Sequence, residues 1–202
     1  MTFKSDIATL AGKSSYWFLH TFMGGGSSLP GKITTKIDPN VLTELGKNYD
    51  VIIVSGTNGK TLTTALIVQV LKEKYNEILT NKSGSNMIQG IVSTFLEAKK
   101  PRNGQKPIAV IEVDEANVKL IVEQIKPKMF VLTNIFRDQL DRYGEIYTTY
   151  QKILDGIELD PSATVISNGD EPIFNSVELP NPQIYYGFEN QPASGNFKAH
   201  AN

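Results

Sequence analysis

Apolar runs alternate with helical patterns along most of this chain. Val51-Ile52-Ile53-Val54, Ile108 to Val113, Met129 to Thr133 and Ala163 to Ser167 are rich in β-branched or aromatic side chains. Short runs of this kind mark strands buried on both faces, as in a parallel sheet. Between them lie stretches with apolar residues at helical spacing, from about Lys60 to Tyr75, Met87 to Ala98, Val118 to Gln124 and Ile146 to Ile157. Ile78–Thr80 and Ile184–Tyr186 read as two further strands. Strand followed by helix, repeated, predicts an α/β fold with a doubly wound, mostly parallel sheet. Functional residues then belong at the carboxyl ends of the strands.

The first part of the chain follows a different pattern. Ser5 to Met23 places Ile7, Leu10, Ala11, Tyr16, Trp17, Phe18, Leu19 and Phe22 at helical spacing, predicting a helix or helix pair. Gly24-Gly25-Gly26-Ser27-Ser28-Leu29-Pro30-Gly31 breaks it. This stretch is either a plain linker or a backbone-rich loop that receives an anionic group. Asp38-Pro39 opens a short helix through Leu45, with Asp38 as its N-cap. The expected division is a helical segment with a Gly-rich loop over 1–39 and the α/β domain over 40–202.

Composition narrows the function classes. Two hundred and two residues, 40% of them apolar, can bury one good core. Twenty basic residues against 21 acidic ones leave no broad field to attract nucleic acid or an anionic membrane. No apolar run is long enough to span a bilayer and no signal peptide is evident, so the expectation is a soluble cytoplasmic chain. The absence of cysteine fits a reducing compartment and excludes thiolate zinc sites, and two histidines leave little for a transition metal.

The first strand runs directly into Ser55-Gly56-Thr57-Asn58-Gly59-Lys60-Thr61. A strand, a glycine-bearing turn and a Lys-Thr pair opening a helix form a nucleotide phosphate cradle. Backbone N–H groups of Gly56 to Thr61 would face phosphate oxygens, Lys60 would reach the outer phosphates, and the Thr61 hydroxyl would sit on magnesium. The common spacing asks for a glycine where Val54 stands, so this is a shorter form of the motif. A surface turn with a solvated lysine is the bland alternative. Asn58, an amide inside the loop, suits contact with a terminal phosphate or an acyl acceptor.

Other strand ends carry polar residues too. Glu112 alternates with Ile111 and Val113 and ends a strand parallel to the phosphate strand, which makes it a candidate magnesium ligand. Asp114 and Glu115 suit a helix cap and first-turn charge. After the next strand, Asn134, Arg137, Asp138 and Gln139 would border the phosphate loop, although solvated salt bridges also explain much of that cluster. Asn81 to Asn86 and Asn168-Gly169-Asp170-Glu171 are weaker signals of the same kind.

Taken together, Gly56-Thr57-Asn58-Gly59-Lys60-Thr61, Glu112-Val113-Asp114-Glu115, Thr133-Asn134, Asp138-Gln139-Leu140-Asp141-Arg142-Tyr143-Gly144 and Asn168-Gly169-Asp170-Glu171 resemble the central, ATP-binding domain of the Mur ligase family. Ser28-Leu29-Pro30-Gly31 and Arg137 to Glu145 resemble the branch that amidates lipid II. The resemblance implies ATP and magnesium as cofactors. It implies phosphorylation of the D-glutamate α-carboxylate in the lipid II stem peptide, then displacement of phosphate by ammonia from a glutamine amidotransferase partner. Lys60, Glu112 and Asn58 would be catalytic, with magnesium on Thr61 and Glu112. Amino-acid-adding members usually have a histidine where Gln139 stands and a carbamylated lysine near Leu154, with Lys152 out of step here. A ligase adding an amino acid to a murein precursor or folate, and a non-catalytic nucleotide-binding module, are the alternatives. Family members also continue into a zinc-binding insertion and a C-terminal domain, so these residues alone are expected to show little synthase activity.

Overall fold

The computed structural model describes residues 3–22, 28–81, 84–98, 106–136 and 145–187. One sheet contains β1 (Asp50–Ser55), β2 (Ile78–Thr80), β3 (Ile108–Glu112), β4 (Met129–Leu132), β5 (Thr164–Asn168) and β6 (Gln183–Tyr186). Their order is β2-β3-β1-β4-β5-β6, and every neighbouring pair is parallel. The chain builds β2 and β3 on one side of β1, then crosses to lay β4, β5 and β6 on the other. The carboxyl end of β1 therefore lies where the winding reverses, the usual ligand crevice of an open α/β sheet.

Among the described residues, seven α-helices accompany the sheet: α1 (Phe3–Phe22), α2 (Leu29–Ile37), α3 (Val41–Gly46), α4 (Lys60–Leu71), α5 (Ile88–Glu97), α6 (Val118–Val122) and α7 (Glu145–Ile157). Strand alternation divides their contacts into two unequal layers. Val51, Ile53, Ala109, Ile111, Phe130, Leu132 and Val165 face the larger core, shared with α5, α6, α7 and with Ala8, Val41 and Leu42 of the N-terminal helices. Val54, Val110 and Val131 face the other way, against Val68 and Leu71 of α4. Glu112 has the parity of Val110, so the acidic end of β3 falls on the same side as the start of α4.

The strands, α5 to α7 and the first helix lie within a residue or two of their expected bounds, whereas the stretch from Leu29 to Val41 departs from expectation. Residues 3–22 form one continuous helix. The helix of α2 begins at Leu29, inside the stretch read as a break, because Pro30 is compatible with a first helical turn. Gly31 belongs to that helix for its lack of a side chain: a Cβ there would lie 1.8 Å from the carbonyl oxygen of Gln89 in α5. Its N–H donates to Ser93 Oγ at 2.8 Å, fastening α2 to α5. Asp38 also differs from its expected role. Helix α3 starts two residues late, at Val41 with Asn40 as N-cap, and Asp38 Oδ1 accepts from the Asn40 N–H (3.1 Å) while Oδ2 accepts from Ser5 Oγ (2.6 Å).

Candidate functional site

β1 ends at Ser55, and the chain turns through Gly56 to Gly59 into α4, whose first residue is Lys60. Gly56 has φ +126°, and a Cβ there would lie 2.4 Å from Thr133 Oγ1 and 2.7 Å from the Asn134 carbonyl oxygen, so no side chain is tolerated. Val54, which stands in place of the usual first glycine, is a fully buried β1 residue. The shortened motif thus reflects a strand that continues further before the loop begins.

The exit of β4 holds this loop in shape. Thr57 N–H donates to the Asn134 carbonyl (2.7 Å), and Asn58 N–H donates to Asn134 Oδ1 (2.9 Å). The Asn58 carbonyl accepts from Asn134 Nδ2 (3.1 Å) and Thr133 Oγ1 (2.8 Å), while Phe136 N–H donates to Thr57 Oγ1 (3.1 Å). Thr57 and Asn58 therefore use their N–H groups within the scaffold. The donors of Gly59 to Leu62, which the opening turn of an α-helix leaves without intrahelical acceptors, would face an anion at the positive end of its dipole. Asn134 braces the loop, and Asn58 is exposed at its tip.

Lys60 folds back over the loop. Its Nζ donates to the carbonyls of Gly56 and Thr57, the latter at 3.0 Å, and faces Glu115 Oε1 at 3.4 Å. Glu115 opens a short 3₁₀ turn (Glu115–Asn117) whose cap, as expected, is Asp114: its Oδ1 accepts from Ala116 N–H and from Asn117 Nδ2, both at 3.1 Å. The ion pair of Glu115 with Lys60 was not foreseen from its position in that turn.

Glu112 is only 5% exposed. Its Oε2 accepts from Thr61 Oγ1 at 2.7 Å and its Oε1 from Asn86 Nδ2 at 3.3 Å. Asn81, also buried, holds the Glu112 backbone at both ends, accepting its N–H (2.9 Å) and donating to its carbonyl (2.8 Å). A buried carboxyl is tolerated only with donors or a cation beside it. The Thr61 hydroxyl and Glu112 carboxylate present two hard oxygens at one point. Among the described residues no group of three or more His, Cys, Asp or Glu side chains comes together. Few protein ligands, all of them oxygen, fit a magnesium ion that keeps waters and phosphate oxygens as its remaining partners.

Two further strand ends meet this corner. Burial of Glu171, beyond β5, pushes its carboxyl above the ordinary range, against the opposing effect of bonds from the backbone of Ile135 and Ile173. Tyr186, on β6, donates its hydroxyl to the Leu132 carbonyl at 3.0 Å. Gly56, Thr57, Asn58, Gly59, Lys60, Thr61, Glu112 and Asn134 are thus brought into one corner, while Arg137, Asp138 and Gln139 lie outside the described residues. Asn81, Asn86, Thr133 and Glu115 are additional members. Single polar residues at strand ends carry no sequence signal that separates such bracing from ordinary turn chemistry. On α7, Leu154 is in the core and Lys152 is exposed.

Residues 54–202 match the family model of the Mur ligase middle domain. The chain belongs to the Mur ligase family. Among Mur ligase relatives, the Streptococcus pneumoniae R6 protein named lipid II isoglutaminyl synthase (glutamine-hydrolyzing) subunit MurT is 54% identical over 94% of this chain and 42% of its own length. The Staphylococcus aureus N315 subunit of the same name is 38% identical over 81% of this chain and 37% of its own. The chain thus spans less than half the length of these curated relatives. The Thermotoga maritima MurF ligase in complex with ADP superposes with a TM-score of 0.64 at 21% identity, over 78% of this chain and 37% of that one. That likeness concerns the fold alone.

Proposed function

We propose that this chain is the nucleotide-binding part of an ATP-dependent carbon-nitrogen ligase that amidates the D-glutamate α-carboxylate of the lipid II stem peptide. Three chemical demands shape the reading. A carboxylate resists attack by ammonia until one of its oxygens leaves as phosphate. Phosphoryl transfer from ATP asks the protein mainly for alignment and for positive charge around the phosphates. That charge must be in place beforehand, held by a scaffold that need not rearrange.

Each demand has a residue to meet it. The N–H groups opening α4 and the Lys60 ammonium would hold the phosphates. Lys60 would exchange its carbonyl and Glu115 partners for phosphate oxygens, and Asn58 at the loop tip would approach the γ-phosphate or the acyl acceptor. Thr61 and Glu112 would hold magnesium, which when bound neutralises phosphate charge. Arg137, Asp138 and Gln139 are proposed to complete the nucleotide side. The contact between Thr61 Oγ1 and the Glu112 carboxylate, joining the helix after β1 to the end of β3, carries the proposal.

The substrate and partner rest on the relatives. Both MurT proteins are named as subunits of a glutamine-hydrolyzing lipid II isoglutaminyl synthase. Ammonia would come from a glutamine amidotransferase subunit, and the reaction would take place on the cytoplasmic side of the membrane, where ATP is available. An exposed Lys152 and a core Leu154 support amidation over amino-acid addition. The test combines the whole protein, the amidotransferase subunit, glutamine, ATP, magnesium and lipid II. An amide on the stem glutamate, seen by mass spectrometry and lost with Lys60→Ala, is the expected result. Lipid II recovered with its carboxylate intact would overturn the reading.

A further inference from the structure

Helix α1 is built the reverse of an ordinary surface helix. Its inner face combines the small residues Ser5, Ala8 and Gly12 with the buried Leu19; a Cβ on Gly12 would lie 2.1 Å from Thr34 Oγ1 and 2.7 Å from Leu96 Cδ1. Most of its other large apolar side chains point outward. At 3.6 residues per turn, Phe3, Ile7, Leu10, Trp17 and Phe18 share one stripe roughly 100° wide, opposite the inner face. Phe3, Leu10 and Trp17 are 83%, 69% and 63% exposed.

Charge distinguishes what such a face can meet. Lys4 stands on one margin and Lys13, with the exposed Asp6 beside it, on the other, and α2 alongside exposes Lys32 and Lys36. Residues 3–37 hold four lysines and one aspartate, a net +3 within a chain of net −1. The near-neutral balance of the whole chain conceals this local excess. Pairing with a second copy through the same stripe would bring together two surfaces of like net charge. An aromatic and aliphatic stripe edged by lysines is instead the composition of a helix lying in a membrane interface, its rings at headgroup level and its ammonium groups on anionic lipid. No described helix is long and apolar enough to cross a membrane, so α1 would lie in the plane. Its 20 residues give it about 30 Å of length for that contact.

We propose that the outward face of α1 docks on an anionic lipid bilayer. The inference rests on α1 and α2 alone and stands independently of the amidation chemistry. Its test is cosedimentation of the whole protein with vesicles of phosphatidylglycerol and phosphatidylcholine, without nucleotide or lipid II. Binding is expected, and it should fall at least tenfold on phosphatidylcholine alone or in the triple variant Phe3→Ser, Leu10→Ser, Trp17→Ser. Lys4→Glu with Lys13→Glu, which leaves the apolar stripe in place, should weaken binding to the anionic vesicles by about fivefold or more per lysine and leave the fold intact. Wild-type protein that stays in the supernatant overturns the proposal, as does binding that neither set of substitutions weakens. A triple variant that loses self-association or its protein partner, with vesicle binding unchanged, would assign the face to that occupant and overturn the proposal equally.

Discussion

The corner at the end of β1 and the outer face of α1 depart from the usual placement of residues in opposite directions. At the corner, polar groups are inside: Ser55, Asn81, Glu112 and Thr133 are all buried. On α1, most large apolar groups are outside, and the small Ser5, Ala8 and Gly12 lie inside beside Leu19. In a soluble domain a buried carboxyl and an exposed aromatic stripe are the informative exceptions, because both are costly unless a ligand or partner meets them. The corner answers its own cost in part with hydrogen bonds, which hold Glu112 in place before any ion arrives. Helix α1 packs against α2 and α5 through its opposite face and leaves Phe3, Leu10 and Trp17 largely exposed. In the proposed reading, one region is preorganised for a small anionic ligand and the other is complementary to a broad surface.

That contrast is sharpest where the two regions are substituted. Lys60→Ala should lower ATP affinity about 100-fold, the order of a lost charge-assisted contact to phosphate, as read by calorimetric titration. The α1 triple variant should leave the same affinity unchanged, and a matched loss in both would erase the distinction. Gly56→Ala should destabilise the protein by about 2–4 kcal/mol in denaturant unfolding, because a methyl group at φ +126° meets Thr133 and Asn134. Asn134→Ala removes a side chain that bonds the loop backbone twice. It should cost about 1–2 kcal/mol and weaken ATP binding several-fold, since the loop would then have to be ordered by the ligand.

Much of the corner was legible because its parts are local or lie at strand ends. A β-branched run, two glycines and a Lys-Thr pair at a helix start specify the loop within a few residues, and alternation places Glu112 on the α4 side. The bracing was not legible. Asn134 fastens Asn58 across 76 residues and Glu115 reaches Lys60 across 55, and no periodicity encodes such pairs. The N-terminal region misled for a different reason. A run of glycines and a proline reads as a loop, yet Pro30 suits a first helical turn and Gly31 is required by contact with α5. The helix of α1 was found from its apolar spacing, but spacing cannot reveal which face is buried, and here most of the larger residues are the exposed ones.

Two smaller effects refine the contrast. Leu10→Ser should change stability by no more than about 0.5 kcal/mol, whereas a leucine serving the core would cost several. Glu171 carries a pH signature. Its carboxyl is held above the ordinary range when folded, so the native state binds its proton more tightly than the unfolded chain does. Its contribution is fully present below the unfolded pKa and is lost as pH rises through the folded one. Glu171→Gln should therefore gain on wild type above that window, by at most about 0.5 kcal/mol because the group is half-exposed and screened. Thermal unfolding at pH 4 and pH 7 would reveal it.

The central claim is that Thr61 and Glu112 form the metal side of a nucleotide cradle whose scaffold is already in place. Glu112→Gln keeps the shape of the side chain and removes its charge, so it separates metal binding from folding. The decisive measurement is the affinity of a non-hydrolysable ATP analogue with magnesium and with EDTA, for wild type and Glu112→Gln. Wild type should bind at least about tenfold more tightly with magnesium, and the variant should lose that increment while retaining its affinity in EDTA. A variant that keeps the full magnesium increment would contradict the assignment of Glu112 to the ion.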